Sequence, residues 1–150
     1  MKYTVTYACG HEGEVQLYGK NENREKKLKW LEEYAICPDC YAKELEEKRN
    51  AAASAANAKA QELGLPQLKG SRKQIRWALT LRDKQVTAEA DRIKELEQGI
   101  EKYPEIAMRV EEELEIQKKF FQWMKQITEA SFWIEHQTVR SLVRAFKEEQ

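Results

Sequence analysis

The chain has 150 residues, 35% of them charged and 41% hydrophobic, and its 26 basic and 26 acidic side chains cancel at neutral pH. Zero net charge excludes a chain whose whole surface is given over to nucleic acid or to an anionic membrane, and no apolar run approaches the roughly 20 residues that cross a bilayer. The length suits one ordinary domain or a small metal module joined to a second unit, and the lack of a signal-peptide pattern sets the expectation of a reducing cytoplasm.

From the N-terminus, residues 2–8 alternate and are rich in Tyr, Thr and Val, as a strand requires. Residues 14–18 repeat the character, so the intervening turn makes a hairpin whose tip carries Cys9 and His11. Asn21 or Asn23 is a candidate cap for a helix over about residues 22–34, with Leu28, Leu31 and Ala35 on one stripe flanked by Trp30 and Tyr34. Cys37-Pro38-Asp39-Cys40 then opens another helix, with its two cysteines in the first turn.

All three cysteines and one of the two histidines fall in a single pattern, Cys9-Gly10-His11 and Cys37-Pro38-Asp39-Cys40, separated by 25 residues. Three sulfurs and one imidazole are the donors a tetrahedral zinc ion prefers, and four protein ligands close the shell, which is the mark of a structural site. One disulfide would leave an odd thiol, and a thioredoxin-like pair needs a βαβ context that the pattern lacks. The expected cofactor is therefore structural zinc held by Cys9, His11, Cys37 and Cys40. In so small a module the metal contributes to folding itself, on the order of 10 kcal/mol.

Beyond Tyr41 the helix continues into an alanine-rich tract that ends at Gly64-Leu65-Pro66. Few large side chains are available there to anchor a core, so the tract is expected to be a spacer. This gives a zinc module over 1–45, a helical connector over 46–66 and a helical domain over 67–150. Ser71 is a candidate N-cap for a helix in which Ile75, Ala78, Leu79 and Arg82 share one face, running to a break at Tyr103-Pro104. A last helix is expected from near Glu105, as one piece of about 40 residues. Its stripe is Ile106, Val110, Leu114, Phe121, Met124, Ile127, Ile134, Leu142 and Phe146, broadened by Phe120, Trp123 and Trp133. The fold class that follows is mainly α with a small α+β zinc module: a treble-clef- or ribbon-like knuckle, then a long-helix hairpin or small bundle.

The neutral total hides a basic segment, 67–84, at +5, followed by an acidic one, 85–116, at −6. Lys69, Arg72, Lys73, Arg76, Trp77, Arg82 and Lys84 form a candidate nucleic-acid or partner face, with cations for phosphates and an indole for a base. The competing reading pairs these charges within the fold and buries Trp77. Phe120, Phe121, Trp123, Phe132 and Trp133 occur all round their helix and form a candidate partner or homodimer surface, unless a fuller bundle covers every face. Catalysis has little support. Glu135-His136 is not HExxH, and no phosphate loop or nucleophile elbow is present.

Cys-Gly-His followed by Leu17-Tyr18-Gly19-Lys20, a charged helix and Cys-Pro-Asp-Cys-Tyr resembles a group of small proteins carried by phages and integrative elements of Gram-positive bacteria. In that group the module is often followed by Gly-Ser-x-Lys-Gln-Ile-x-Trp-Ala, which matches Gly70 to Ala78. The resemblance covers roughly residues 3–82 in two patches. Related ribbons carry Cys-x₂-Cys-Gly-His; here Thr6 stands where the earlier cysteine would be, which makes His11 the more necessary ligand. The resemblance implies two roles. The first is a non-enzymatic, zinc-stabilised protein that acts by protein–protein interaction on a host protein or nucleoprotein complex, such as an anti-CRISPR-like inhibitor of a defence complex. The alternative is a DNA- or RNA-binding accessory or regulator using the basic 69–84 helix. Zero net charge and the acidic 85–116 segment favour the first.

Overall fold

In the computed structural model, which describes residues 1–149, the alternating N-terminal segment forms β1 (Lys2–Thr6), antiparallel to β2 (Glu12–Gln16). The register places Tyr3 opposite Val15 and Val5 opposite Gly13. α1 (Asn21–Tyr34) packs on β1 through Leu28 and Leu31, closing a small core around Val5, Tyr7 and Cys37. Neither Asn21 nor Asn23 caps α1; Lys20 holds the cap position and no side chain bonds there. α2 (Pro38–Glu62) follows. The chain divides into two compact units, Met1–Arg49 and the remainder from Asn50, so the division falls inside α2.

The alanine tract is more than a spacer. Ala53, Ala56 and Ala60 are buried, and the first two join the core of the second unit with Ala78, Leu79 and Val86. The low bulk that suggests a connector over 46–66 therefore does not keep the tract out of the core, since its small side chains pack there. The division accordingly lies at Arg49/Asn50 instead of at Gly64–Pro66.

α3 (Arg72–Lys102) starts at Ser71 with a full capping box: the Ser71 hydroxyl accepts from the Gln74 N–H, and the Gln74 side chain accepts from the Ser71 N–H. A short 3-10 turn over Pro104–Ile106 leads into α4 (Ala107–Gln126), which returns antiparallel along α3 with a Lys118–Glu97 ion pair at 2.9 Å. The expected helical hairpin is therefore present. The expected single helix of about 40 residues is not: it is divided into α4, α5 (Ala130–Glu135) and α6 (Val139–Glu148).

Each break has a cause. Before α5 the chain is drawn out to pair with Lys69, whose N–H donates to the Thr128 carbonyl at 2.8 Å while the Ala130 N–H donates to the Lys69 carbonyl at 2.9 Å. Before α6, Thr138 and Ser141 form a second capping box, which starts a new helix. Dividing the helix turns aromatics from three directions into one core, with Phe120, Met124, Ala130, Trp133, Leu142 and Phe146 buried together. The side chain of Ile106, placed on the apolar stripe by sequence, lies outside the described residues.

Candidate metal centre and binding faces

The hairpin tip folds on itself, the Tyr7 N–H donating to the His11 carbonyl at 2.9 Å and the Gly10 N–H to the Tyr7 carbonyl at 2.8 Å. The Ala8 N–H bonds the Ala35 carbonyl at 2.8 Å, which anchors the tip to the end of α1 just before Cys37. Cys37 precedes α2 and Cys40 lies in its first turn. The result is a treble-clef-like convergence in which one donor atom from each of Cys9, His11, Cys37 and Cys40 lies within 4.8 Å of all the others. A tetrahedral ion with metal–sulfur bonds of about 2.3 Å has donors roughly 3.8 Å apart, so the four fit an ion with modest contraction. They can hold a metal ion.

Backbone groups already serve the sulfurs. The Cys37 N–H donates to the Cys9 sulfur at 3.2 Å, and the Cys40 N–H to the Cys37 sulfur at 3.4 Å. The Cys40 sulfur lies 3.3 Å from His11 Nδ1. The Cys37 backbone N–H, helped by His11, draws the Cys9 thiol down to about 6, whereas the hydrogen bond with the Cys37 sulfur and the loss of water push Cys40 up to about 11. Three sulfurs this close cannot all ionise without a counter-charge, and a divalent cation is the counter-charge the geometry accommodates. Cys37 is buried, Cys9 and Cys40 are half-buried, and His11 is exposed.

The basic set on and before α3 separates into structural and surface members. Arg82 is only 2% exposed, and its Nη1 donates to the Pro66 carbonyl at 2.7 Å. It belongs to the fold rather than to a binding face, in keeping with its position on the Ile75–Ala78–Leu79 stripe. Lys69 gives its backbone to the bridge with Thr128 and Ala130, and Arg76 donates to the Asn50 side chain at 3.0 Å. Lys69, Arg72, Lys73 and Lys84 are exposed, and Trp77 is 49% exposed rather than buried. Gly70, Ser71, Gln74 and Ala78 all have duties in the junction or core; Lys73 and Trp77, one turn apart, point to water.

The aromatic set is largely absorbed by the fold. Trp133 is fully buried and Phe120 nearly so. Phe121, Trp123 and Phe132 are half-buried against the same core. Trp123 sits among Phe120, Phe132 and Phe146 at centroid distances of 5.4–5.8 Å, and its Nε1 donates to Glu149 at 2.6 Å. Two shallow hollows flank it, of about 360 and 280 Å³. His136 packs on Phe132 at 4.2 Å, a packing role. Sequence reasoning did not single out Glu89, which is buried on α3 with one carboxylate oxygen lacking a partner. Nor did it weigh the exposure of Trp30 on α1. In comparisons with protein families, curated proteins and solved structures, nothing matches this chain. Among the described residues no helix is long and apolar enough to cross a membrane.

Proposed function

We propose that this chain is a non-enzymatic binding protein whose N-terminal unit is held together by one structural zinc ion and whose second unit contacts single-stranded nucleic acid through α3. Zinc is favoured by the donor set: three thiolates and an imidazole with no position left for water. The observation that carries the binding role is Trp77, a half-exposed indole one turn from Lys73, with Lys84 two turns further along the same stripe. A flat π face beside ammonium groups suits an unpaired base and its phosphate, and such stacking contributes about 1–3 kcal/mol per base.

The test is fluorescence anisotropy with labelled 20-mers of oligothymidylate and oligouridylate over a salt series. Trp77→Ala should weaken binding about fivefold or more, the low end of one stacked base. Lys73→Gln with Lys84→Gln should flatten the salt slope by about 1.4, at roughly 0.7 for each phosphate that is no longer neutralised. Binding indifferent to Trp77→Ala, or to salt, would contradict the reading.

A second reading, a protein partner such as a host defence complex encountered by a mobile element, has its own support in the two hollows beside Trp123, which could seat an apolar anchor. Its signature would be salt-tolerant binding to a purified partner, abolished in Trp123→Ala protein that still melts cooperatively, and unaffected by Trp77→Ala.

A further inference from the structure

We propose that the N-terminal unit carries a second single-strand contact, on the α1 face formed by Lys27, Trp30 and Tyr34. The inference rests on the reading of Trp77 as a nucleic-acid contact. It arises from a likeness in kind, not residue for residue: Asn23, Lys27, Trp30 and Tyr34 lie along one stripe of α1, and Lys73, Trp77, Thr80 and Lys84 along one stripe of α3. In each stripe a lysine stands one turn before a tryptophan, the two indoles are 47% and 49% exposed, and neither stripe contains a carboxylate.

Lys27, Trp30 and Tyr34 lie outside the core of their own unit. Leu28 and Leu31, on another side of the helix, make the contact with the core, while Trp30 and Tyr34 stay in water. The neighbouring lysines are engaged, Lys26 with Glu22 at 2.7 Å and Lys29 with Glu33 at 3.7 Å. Lys27 is different: among the described residues it has no carboxylate partner, and its ammonium rests 3.9 Å from the centre of the Trp30 ring. A nucleotide supplies both missing partners, a base to cover the indole and a phosphate to receive the displaced ammonium. A protein partner fits less well, because three of the four side chains one turn from Trp30, namely Lys26, Lys27 and Glu33, are charged, and only Tyr34 is aromatic.

Anisotropy with the same labelled 20-mers on the full-length, zinc-replete protein tests the proposal. Zinc content and circular dichroism should match wild type in each variant, since Trp30 and Lys27 lie outside the core. Trp30→Ala should weaken binding about fivefold or more, and Lys27→Gln should flatten the salt slope by about 0.7. If Trp77→Ala weakens binding while Trp30→Ala behaves as wild type, the α1 site is overturned and the α3 reading stands. If Trp30→Ala alone weakens binding, the α1 site is kept and the α3 reading fails. If neither does, both fail. Equal affinity for a duplex of the same length would overturn base stacking on α1.

Discussion

Gly70 joins the segment that pairs with Thr128–Ala130 to the cap of α3, and Gly70→Ala should be far more damaging than an ordinary loop substitution. Two effects combine. Gly70 has φ +148°, a conformation L side chains rarely adopt, at about 1–3 kcal/mol. A Cβ there would also lie 3.1 Å from the Ala130 Cβ and 3.4 Å from Gln74 Oε1. Ala130 is fully buried and fixed by its bond to Lys69, so it cannot retreat. Crowding Ala130 adds an overpacking cost of about 1 kcal/mol, while Gln74 stays at ordinary contact distance and keeps the Ser71 capping box. The sum is about 2–4 kcal/mol, which for a unit of this size lowers Tm by about 10–25 °C. The assay is thermal and urea melting of zinc-replete protein followed by circular dichroism. Gly64→Ala is the control, because Gly64 has φ +63° but nothing within 4 Å of its virtual Cβ, leaving only a backbone term of about 1 kcal/mol. If Gly70→Ala is no more destabilising than Gly64→Ala, the close approach of this junction to Ala130 is not as described.

Two further perturbations probe charge and metal. Burial raises the pKa of the Glu89 carboxyl, with Arg92 pulling it the other way. A raised folded-state pKa means that the wild type holds its full stability below the unfolded value of about 4.3 and loses it as pH climbs through the folded pKa. Glu89→Gln should therefore match wild type near pH 4 and exceed it at neutral pH, read as the difference in Tm across the series; parallel curves would show that the carboxyl is not the cause. Cys40→Ser removes one of the four proposed zinc ligands. With about 10–16 kcal/mol of metal binding shared over four, about 3 kcal/mol, or roughly 150-fold in affinity, should disappear in competition with a chromophoric chelator. Unchanged affinity would remove Cys40 from the site.

The parts of this protein that are legible in the sequence are those set by local chemistry. The four donors stand in a spacing that only a few structures accommodate, and they converge. The strand alternation of residues 2–8 and the Ser71-x-x-Gln74 cap likewise describe what forms, because each depends on neighbours within a few residues. The interruption at Ile127–Glu129 depends instead on Lys69, far away in the chain, and no helix propensity records that. Thr138-x-x-Ser141 is a readable start signal that the continuous apolar stripe masks. The same stripe makes the aromatics look surplus: on one straight helix they cannot all face inward, but on three short segments Phe120, Trp123, Phe132 and Phe146 can meet. Arg82 groups with the surface cations by charge, although its own spacing places it on the apolar face, where the Pro66 carbonyl receives it. Trp77 goes the opposite way, since periodicity says which face a residue occupies but not whether another element covers that face.

The metal centre is the claim on which the N-terminal unit stands, and native mass spectrometry combined with amide hydrogen exchange, with and without chelator, tests it most directly. The buried core of that unit is Val5, Tyr7 and Cys37, with a few half-buried side chains around them, so the proposed zinc would supply much of the stability of its 49 residues. The expected result is one zinc per chain, with chelation abolishing protection across residues 1–49 while α3, α4 and α5 keep theirs. Protein that carries no metal, or whose N-terminal protection survives chelation, would contradict it.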